Sequence, residues 1–141
     1  MNRKYTVAKT YGKALFSEAN QLNAISEIYQ ELLKLREVYH EVPDLGDILT
    51  DDRLSVYEKV NIVKDLENSF SDAVAKFIHT VYDYGRMNEV LEIIDEFEHL
   101  YYDQFGIVVV DVTTAIALSM DQRHELEGRL AKQFHANKVV I

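Results

Sequence analysis

Apolar residues recur every three or four positions from the N-terminus to about Gly106, and this spacing lines one face of an α-helix. An early stripe predicts a first helix over residues 5–20, with Ala8, Tyr11, Leu15, Ala19 and Leu22 on its core face. The clearest stripe lies before Pro43 and consists of Ile25, Ile28, Leu32, Leu35, Tyr39 and Val42. One proline and five glycines in 141 residues leave few helix breakers, so a mostly helical protein is predicted.

Capping residues divide the rest of this region into further helices. A short turn of helix ends near Thr50, and Ser55 with Glu58 forms a capping box that opens a helix carrying Val56, Val60, Val63 and Leu66. Ser71 opens the next helix and Gly85 ends it, with Val74, Phe77, Ile78, Val81 and Tyr82 at its apolar positions. A sixth helix runs from Asn88 to Gly106.

Gly12 lies in the middle of the first predicted helix, where glycine costs about 1 kcal/mol relative to alanine. A close approach by another backbone would explain it, and so would a neutral position that simply tolerates glycine. Small neighbours at Ala8 and Ala14 favour a second packing partner for this helix.

After Gly106 the helical spacing stops. Residues 107–115 are rich in β-branched side chains and predict a strand, a capping box at Ser119–Gln122 predicts a helix, and residues 138–141 predict a second strand. The predicted fold is therefore mainly α: a six-helix bundle over 1–105, then a small, incomplete α/β segment over 106–141. Because two strands and one helix are marginal alone, we expect a fragment, or a second unit that a partner completes.

The charge of the chain favours protein partners. Fifteen basic and twenty-four acidic residues give a net charge of −9, which repels nucleic-acid phosphates and anionic lipids. No apolar run approaches the roughly 18 residues of a membrane span, so direct membrane insertion is not expected. Cysteine is absent, which excludes disulfides and thiolate sites.

The sequence offers no candidate active site. It lacks a phosphate-binding glycine loop, and its five histidines do not have the spacing of metal ligands. Ser55 and Ser119 are explained by capping, and Asp51 with Asp52 by a position before a helix. A protein that is not an enzyme, with neither metal nor cofactor, is predicted.

Several segments of the chain resemble those of a known family. Tyr11–Phe16 (YGKALF) is similar to a Tyr-Ala-Lys-Ala-Leu-Phe segment, and Asp52–Lys59 to an Ile-Ser-x-x-Glu-Lys region, of the ATP synthase delta subunit family, called OSCP in mitochondria. Phe77-Ile78 with Gly85-Arg86-Met87, and Val112 to Ser119, follow in the family's order. The family's later Gly-Gly strand and last helix have no counterpart here.

The resemblance implies a non-catalytic stator or linker subunit of a bacterial-type ATP synthase. Such a subunit joins the catalytic head, through N-terminal helices of the alpha subunit, to the b subunit of the peripheral stalk. It resists rotor torque during proton-driven ATP synthesis, as a peripheral protein at the cytoplasmic face of the cell membrane.

The resemblance also places a helix-binding groove between the first and fifth helices. Its residues would be Val7, Tyr11, Ala14, Val74, Ile78 and Val81. The alternative is that these side chains are core, and their solvent exposure distinguishes the two. The side chain of Arg86 either holds its own turn together or forms an ion pair with a partner.

A function of another class stays open on the sequence alone. A helical bundle of this kind could bind an unrelated amphipathic peptide or an apolar small molecule. A small-molecule carrier requires an enclosed cavity, whereas a linker requires an open apolar groove.

Overall fold

The structure is a computed structural model that describes residues 3–141, with side chains from Thr6 onward. Within this range it is mainly helical with a small pair of strands, so the predicted fold class is confirmed. Contacts divide the chain into two compact units between Glu98 and His99. The sequence composition placed the boundary a few residues later, at 105/106.

The first unit contains five α-helices and most of a sixth. These are α1 (Arg3–Gln21), α2 (Ile25–Glu41), α3 (Leu45–Thr50), α4 (Val56–Glu67), α5 (Asp72–Asp83) and α6 (Val90–Phe105), with a 3₁₀ turn over Met87–Glu89. The helix ends agree with the predicted signals. Gly85 follows α5 with φ +68°, Arg86 N donates to Val81 O at 2.9 Å, and Gly85 N donates to Tyr82 O at 2.9 Å, which together form a Schellman motif.

Helix α2 supplies the centre of the core. Five of its six predicted stripe residues are buried, and only Val42, which follows the last helical residue, is exposed. The ring of Phe97 on α6 lies 6.3 Å from that of Tyr29 and 5.3 Å from that of Phe16 on α1, measured between centroids. Aromatic contacts therefore join three helices at one point in the core.

The buried face of α1 differs from the predicted one at Tyr11 and Leu22. Ala8, Gly12, Leu15 and Ala19 are buried, whereas Tyr11 is half-buried and Leu22 is 55% exposed. Gly12 packs on α6, because a β-carbon there would lie 2.7 Å from Glu96 Cβ and 3.0 Å from Ile93 O. The close approach that the glycine suggested is confirmed. Leu22 is exposed because α1 ends at Gln21.

Helix α4 is less buried than its stripe predicted. Val63 is buried, Val60 and Leu66 are half-buried, and Val56 is 70% exposed. The Ser55 hydroxyl accepts a hydrogen bond from Glu58 N at 3.2 Å, so one half of the predicted capping box is present. The Glu58 carboxylate accepts from the Ser55 hydroxyl at 3.2 Å, and the expected bond to the Ser55 backbone amide is not formed. Val56 is the first helical residue.

A charged cluster ties α2 to α6. Arg36 donates to Glu98 Oε2 at 3.0 Å and to Asp95 Oδ1 at 2.9 Å, and the Tyr29 hydroxyl donates to the same oxygen of Glu98. Burial alone would lower the pKa of Arg36. The hydrogen bond and charge of Glu98, with Asp95 and Tyr29, outweigh it and raise that pKa.

The second unit is a strand–helix–strand arrangement. Strand β1 (Ile107–Val109) pairs in parallel with β2 (Lys138–Val140), and α7 (Met120–Gln133) connects them. The capping box at Ser119 is confirmed, with both reciprocal hydrogen bonds to Gln122 present. The predicted first strand, 107–115, is longer than the observed one. Three residues of β1 pair with β2, and one further hydrogen bond joins Val110 N to Val140 O.

Candidate partner-binding surface

The predicted groove residues of α1 retain accessible surface. Val7 and Tyr11 are half-buried and Ala14 is exposed. They lie at i, i+4 and i+7, so they share one side of the helix next to its buried line. This side of α1 is available to a partner.

The predicted groove residues of α5 are core residues. Val74, Ile78 and Val81 are 0%, 1% and 0% exposed, because α5 packs on α2, on α4 and on the 3₁₀ turn. A partner could reach these three side chains only if the core repacked. The sequence interpretation that placed them in an accessible trough is therefore corrected, and any accessible surface beside α1 has other residues on its far side.

The end of α5, rather than its middle, meets the accessible side of α1. The rings of Tyr11 and Tyr84 lie 6.5 Å apart between centroids with a 59° tilt. Tyr84 is the C-cap residue of α5 and is 69% exposed. Two partly exposed aromatic rings are therefore in contact where α1 passes the end of α5.

Arg86 completes this group. Its Nη1 donates to Glu89 Oε2 at 2.9 Å, and its side chain is 37% exposed. The hydrogen bond with Glu89 raises the pKa of Arg86, and the charge of Glu89 and the side chain of Tyr11 add to this effect against some desolvation. We call Tyr11, Tyr84, Arg86 and Glu89 the Tyr11–Arg86 cluster.

Sequence reasoning found half of this cluster. Tyr11 and Arg86 were singled out, whereas Tyr84 and Glu89 were not. Glu89 follows Arg86 by three residues, a spacing that brings side chains together in one helical turn and could have indicated the pair. Tyr84 belongs to no apolar stripe, so only its place before Gly85 pointed to an exposed ring at a helix end.

The residue types of the cluster are common at protein interfaces. Tyrosine and arginine are the residue types most enriched at the energetic centres of protein interfaces. In residues 3–141 the structure brings together no group of three or more His, Asp or Glu side chains in an arrangement that would hold a metal ion. The Ser55 and Ser119 hydroxyls are both engaged as helix caps.

The second unit contains an open cleft of about 410 Å³ beside α7 and β2. Its lining combines His124, Glu127 and Lys138 with small or apolar residues such as Ala131 and Val139. His124 Nδ1 lies 3.3 Å from Glu127 Oε1. Because this cleft is open, it does not match the enclosed apolar cavity that the small-molecule alternative requires.

Comparison with known proteins gives a consistent result. The sequence model of the family described as ATP synthase delta (OSCP) subunit matches residues 7–141. This chain belongs to that family. The ATP synthase subunit delta of Enterococcus faecalis is 50% identical over 129 residues, which are 92% of this chain and 72% of the relative. The proteins of the same name from Limosilactobacillus reuteri and Lactiplantibacillus plantarum are 42% identical over 138 residues and 35% over 136, or 98% and 96% of this chain and 77% and 75% of the relatives.

The segments that resembled the delta family fall at defined places in the fold. Tyr11–Phe16 lies within α1, and Gly85-Arg86-Met87 forms the turn after α5. Both segments contribute to the Tyr11–Arg86 cluster. None of the helices described for this delta-family chain is both long and apolar enough to cross a bilayer.

Proposed function

We propose that this chain is a non-catalytic stator subunit of ATP synthase. It links the catalytic head to the peripheral stalk and resists rotor torque during proton-driven ATP synthesis, as a peripheral protein at the cytoplasmic face of the membrane. The observation that carries the proposal is membership of the delta family over nearly the whole chain.

The head side of this link is the accessible side of α1 together with the end of α5. An amphipathic helix from the N-terminus of the alpha subunit lays its apolar side chains on Val7, Tyr11 and Ala14. The exposed Tyr84 ring extends this surface, and Arg86 pairs with a carboxylate of the docking helix. The partial exposure of these residues supports this placement, and the burial of the α5 core residues defines its limit.

The stalk side is the second unit, which binds the b subunit. Its support is the apolar surface that this unit exposes. Val109, Ile116, Met120 and Phe134 are 56%, 81%, 68% and 52% exposed. Several large apolar side chains exposed within one short segment are typical of an interaction site.

Calorimetric titration tests the head side. The probe is a synthetic peptide that copies the N-terminal segment of the alpha subunit from the same organism. We expect one-to-one binding, and Tyr11→Asp should weaken it at least roughly tenfold because a charge enters an apolar contact. Tyr57→Asp is the matched control, since Tyr57 is 76% exposed on α4, and its affinity should equal that of the unmodified chain.

The alternative position for a disruptive charge, Ile78, is unsuitable because its side chain is 1% exposed and Ile78→Asp would unfold the core. Absence of heat at several temperatures with the unmodified chain would overturn the proposed head contact. Equal weakening by Tyr11→Asp and Tyr57→Asp would place the contact elsewhere.

A further inference from the structure

Glu89 is a buried carboxylate that is only half satisfied. The residue is 5% exposed, its Oε2 accepts from Arg86, and its Oε1 is buried with no hydrogen-bond partner. An unpaired oxygen on a buried charged group is costly. A buried ion pair is also often no more stabilising than apolar side chains of similar size. The pair is therefore poorly explained by stability alone.

The backbone that carries this pair is held on several sides. Arg86 N bonds to Val81 O in the Schellman motif, and the buried Tyr39 hydroxyl donates to Met87 O at 2.8 Å. Gly46 of α3 packs against the same turn, because a β-carbon on it would lie 2.7 Å from Met87 O. With the backbone fixed, the freedom left to Arg86 is that of its long side chain.

The contact with Glu89 removes that freedom. Arg86 is the residue before the 3₁₀ turn and Glu89 is the last residue of that turn, and their side chains meet with Arg86 Nη1 2.9 Å from Glu89 Oε2. The Tyr11 side chain is close enough to the same guanidinium to raise the pKa of Arg86. Glu89 thus holds one nitrogen of the cation, and the Arg86 side chain remains 37% exposed.

We propose that Glu89 is a positioning residue of the head-binding surface: it holds the Arg86 guanidinium beside Tyr11 so that the exposed edge meets a carboxylate of the docking helix. This inference rests on the proposed function and deepens it. Ordering Arg86 before binding reduces the side-chain entropy that is lost on association.

A double-mutant cycle tests the inference. The dissociation constant for the alpha-subunit peptide is measured by calorimetry for the unmodified chain, Glu89→Gln, Arg86→Ala and the double variant. We expect Glu89→Gln to weaken binding roughly fivefold to tenfold when Arg86 is present, and less than about twofold in the Arg86→Ala background. Glu96→Gln is the control, because Glu96 is also buried, at 8% exposed, and lies beside Gly12 rather than Arg86. Its affinity should be unchanged.

A second pair of measurements covers a variant that does not fold. Circular dichroism establishes the fold, and Glu89→Met, which fills the space without a charge, replaces Glu89→Gln if needed. On the unmodified chain, NMR of the Arg86 Nε–H should show an ordered side chain before peptide is added. Replacing the acidic residues of the peptide one at a time by their amides should identify one position that weakens binding.

The outcomes separate the two levels of the proposal. No binding by the unmodified chain overturns the head contact and the role of Glu89 together. Binding that Glu89→Gln leaves unchanged, or weakens equally with and without Arg86, overturns only the positioning role. A disordered Arg86 side chain in the free chain, or a peptide whose amide substitutions have no effect, does the same.

Discussion

At Gly12 the backbones of α1 and α6 approach so closely that the hydrogen side chain decides the packing. The atoms that a β-carbon would meet are Glu96 Cβ and Cγ and Ile93 O, which belong to the backbone or to the first atoms of a side chain. Glu96 Cβ and Ile93 O move only when the backbone of α6 moves. A single residue therefore sets the distance between two helices, and the sequence could indicate it because glycine is costly inside a helix.

Gly12→Ala should lower the free energy of unfolding by up to about 2 kcal/mol. The strain of overpacking, about 1–3 kcal/mol, exceeds the roughly 1 kcal/mol that alanine gains in helix propensity. Urea denaturation measures the change. Gly128→Ala is the control, because Gly128 lies inside α7 with open space around its Cα, and it should increase stability by about 0.5–1 kcal/mol. A stabilised Gly12→Ala variant would contradict the close contact.

At the scale of the element, helix starts were predictable where the cap is local. Ser119 and Gln122 lie three residues apart and form the box that the sequence indicated. At Ser71 the position was predicted, but its hydroxyl makes no capping bond within the helix. Instead, Ser71 N and Oγ donate to Glu31 of α2 at 2.6 and 2.8 Å. Because Glu31 lies forty residues before Ser71, no local sequence pattern predicts this contact.

The cluster that joins α2 to α6 gives a prediction at the same scale. Glu98→Ala should cost about 2 kcal/mol of unfolding free energy, because Tyr29 and Arg36 both lose an acceptor in a partly buried place where the Glu98 side chain is 22% exposed. Thermal and urea denaturation measure it.

Asp95→Ala is the matched control for Glu98→Ala. Asp95 binds the same Arg36, but its side chain is 69% exposed, so its loss should cost less than about 1 kcal/mol. Equal effects of the two variants would show that burial does not set the strength of this cluster.

At the scale of the whole molecule, periodicity identified the helices but not what covers each of them. The family resemblance implied a groove at Val74, Ile78 and Val81, yet these side chains are buried because α5 has several neighbours. Val56 lies on the predicted apolar face of α4, but its side chain is exposed. Spacing along the chain reports which side chains share a face, and tertiary packing decides whether that face is covered.

Limited proteolysis gives a prediction for the whole chain. Residues 110–119 have no regular structure, and five consecutive residues from Thr113 to Ala117 are exposed. A protease of broad specificity should therefore cut first within 111–117. Because the Tyr11–Arg86 cluster precedes this segment, the N-terminal product should still bind the alpha-subunit peptide. A first cut within the helices before Glu98, identified by mass spectrometry, would contradict this expectation.

The bond from Glu31 to Ser71 also bears on how the first unit folds. Because the start of α5 is completed by a side chain of α2, a peptide that contains α5 alone lacks this stabilisation and, at 12 residues, is short for an independent helix. Helix formation in α5 is thus coupled to the docking of α2. Hydrogen bonds between residues far apart in sequence therefore add tertiary stabilisation to the start of α5.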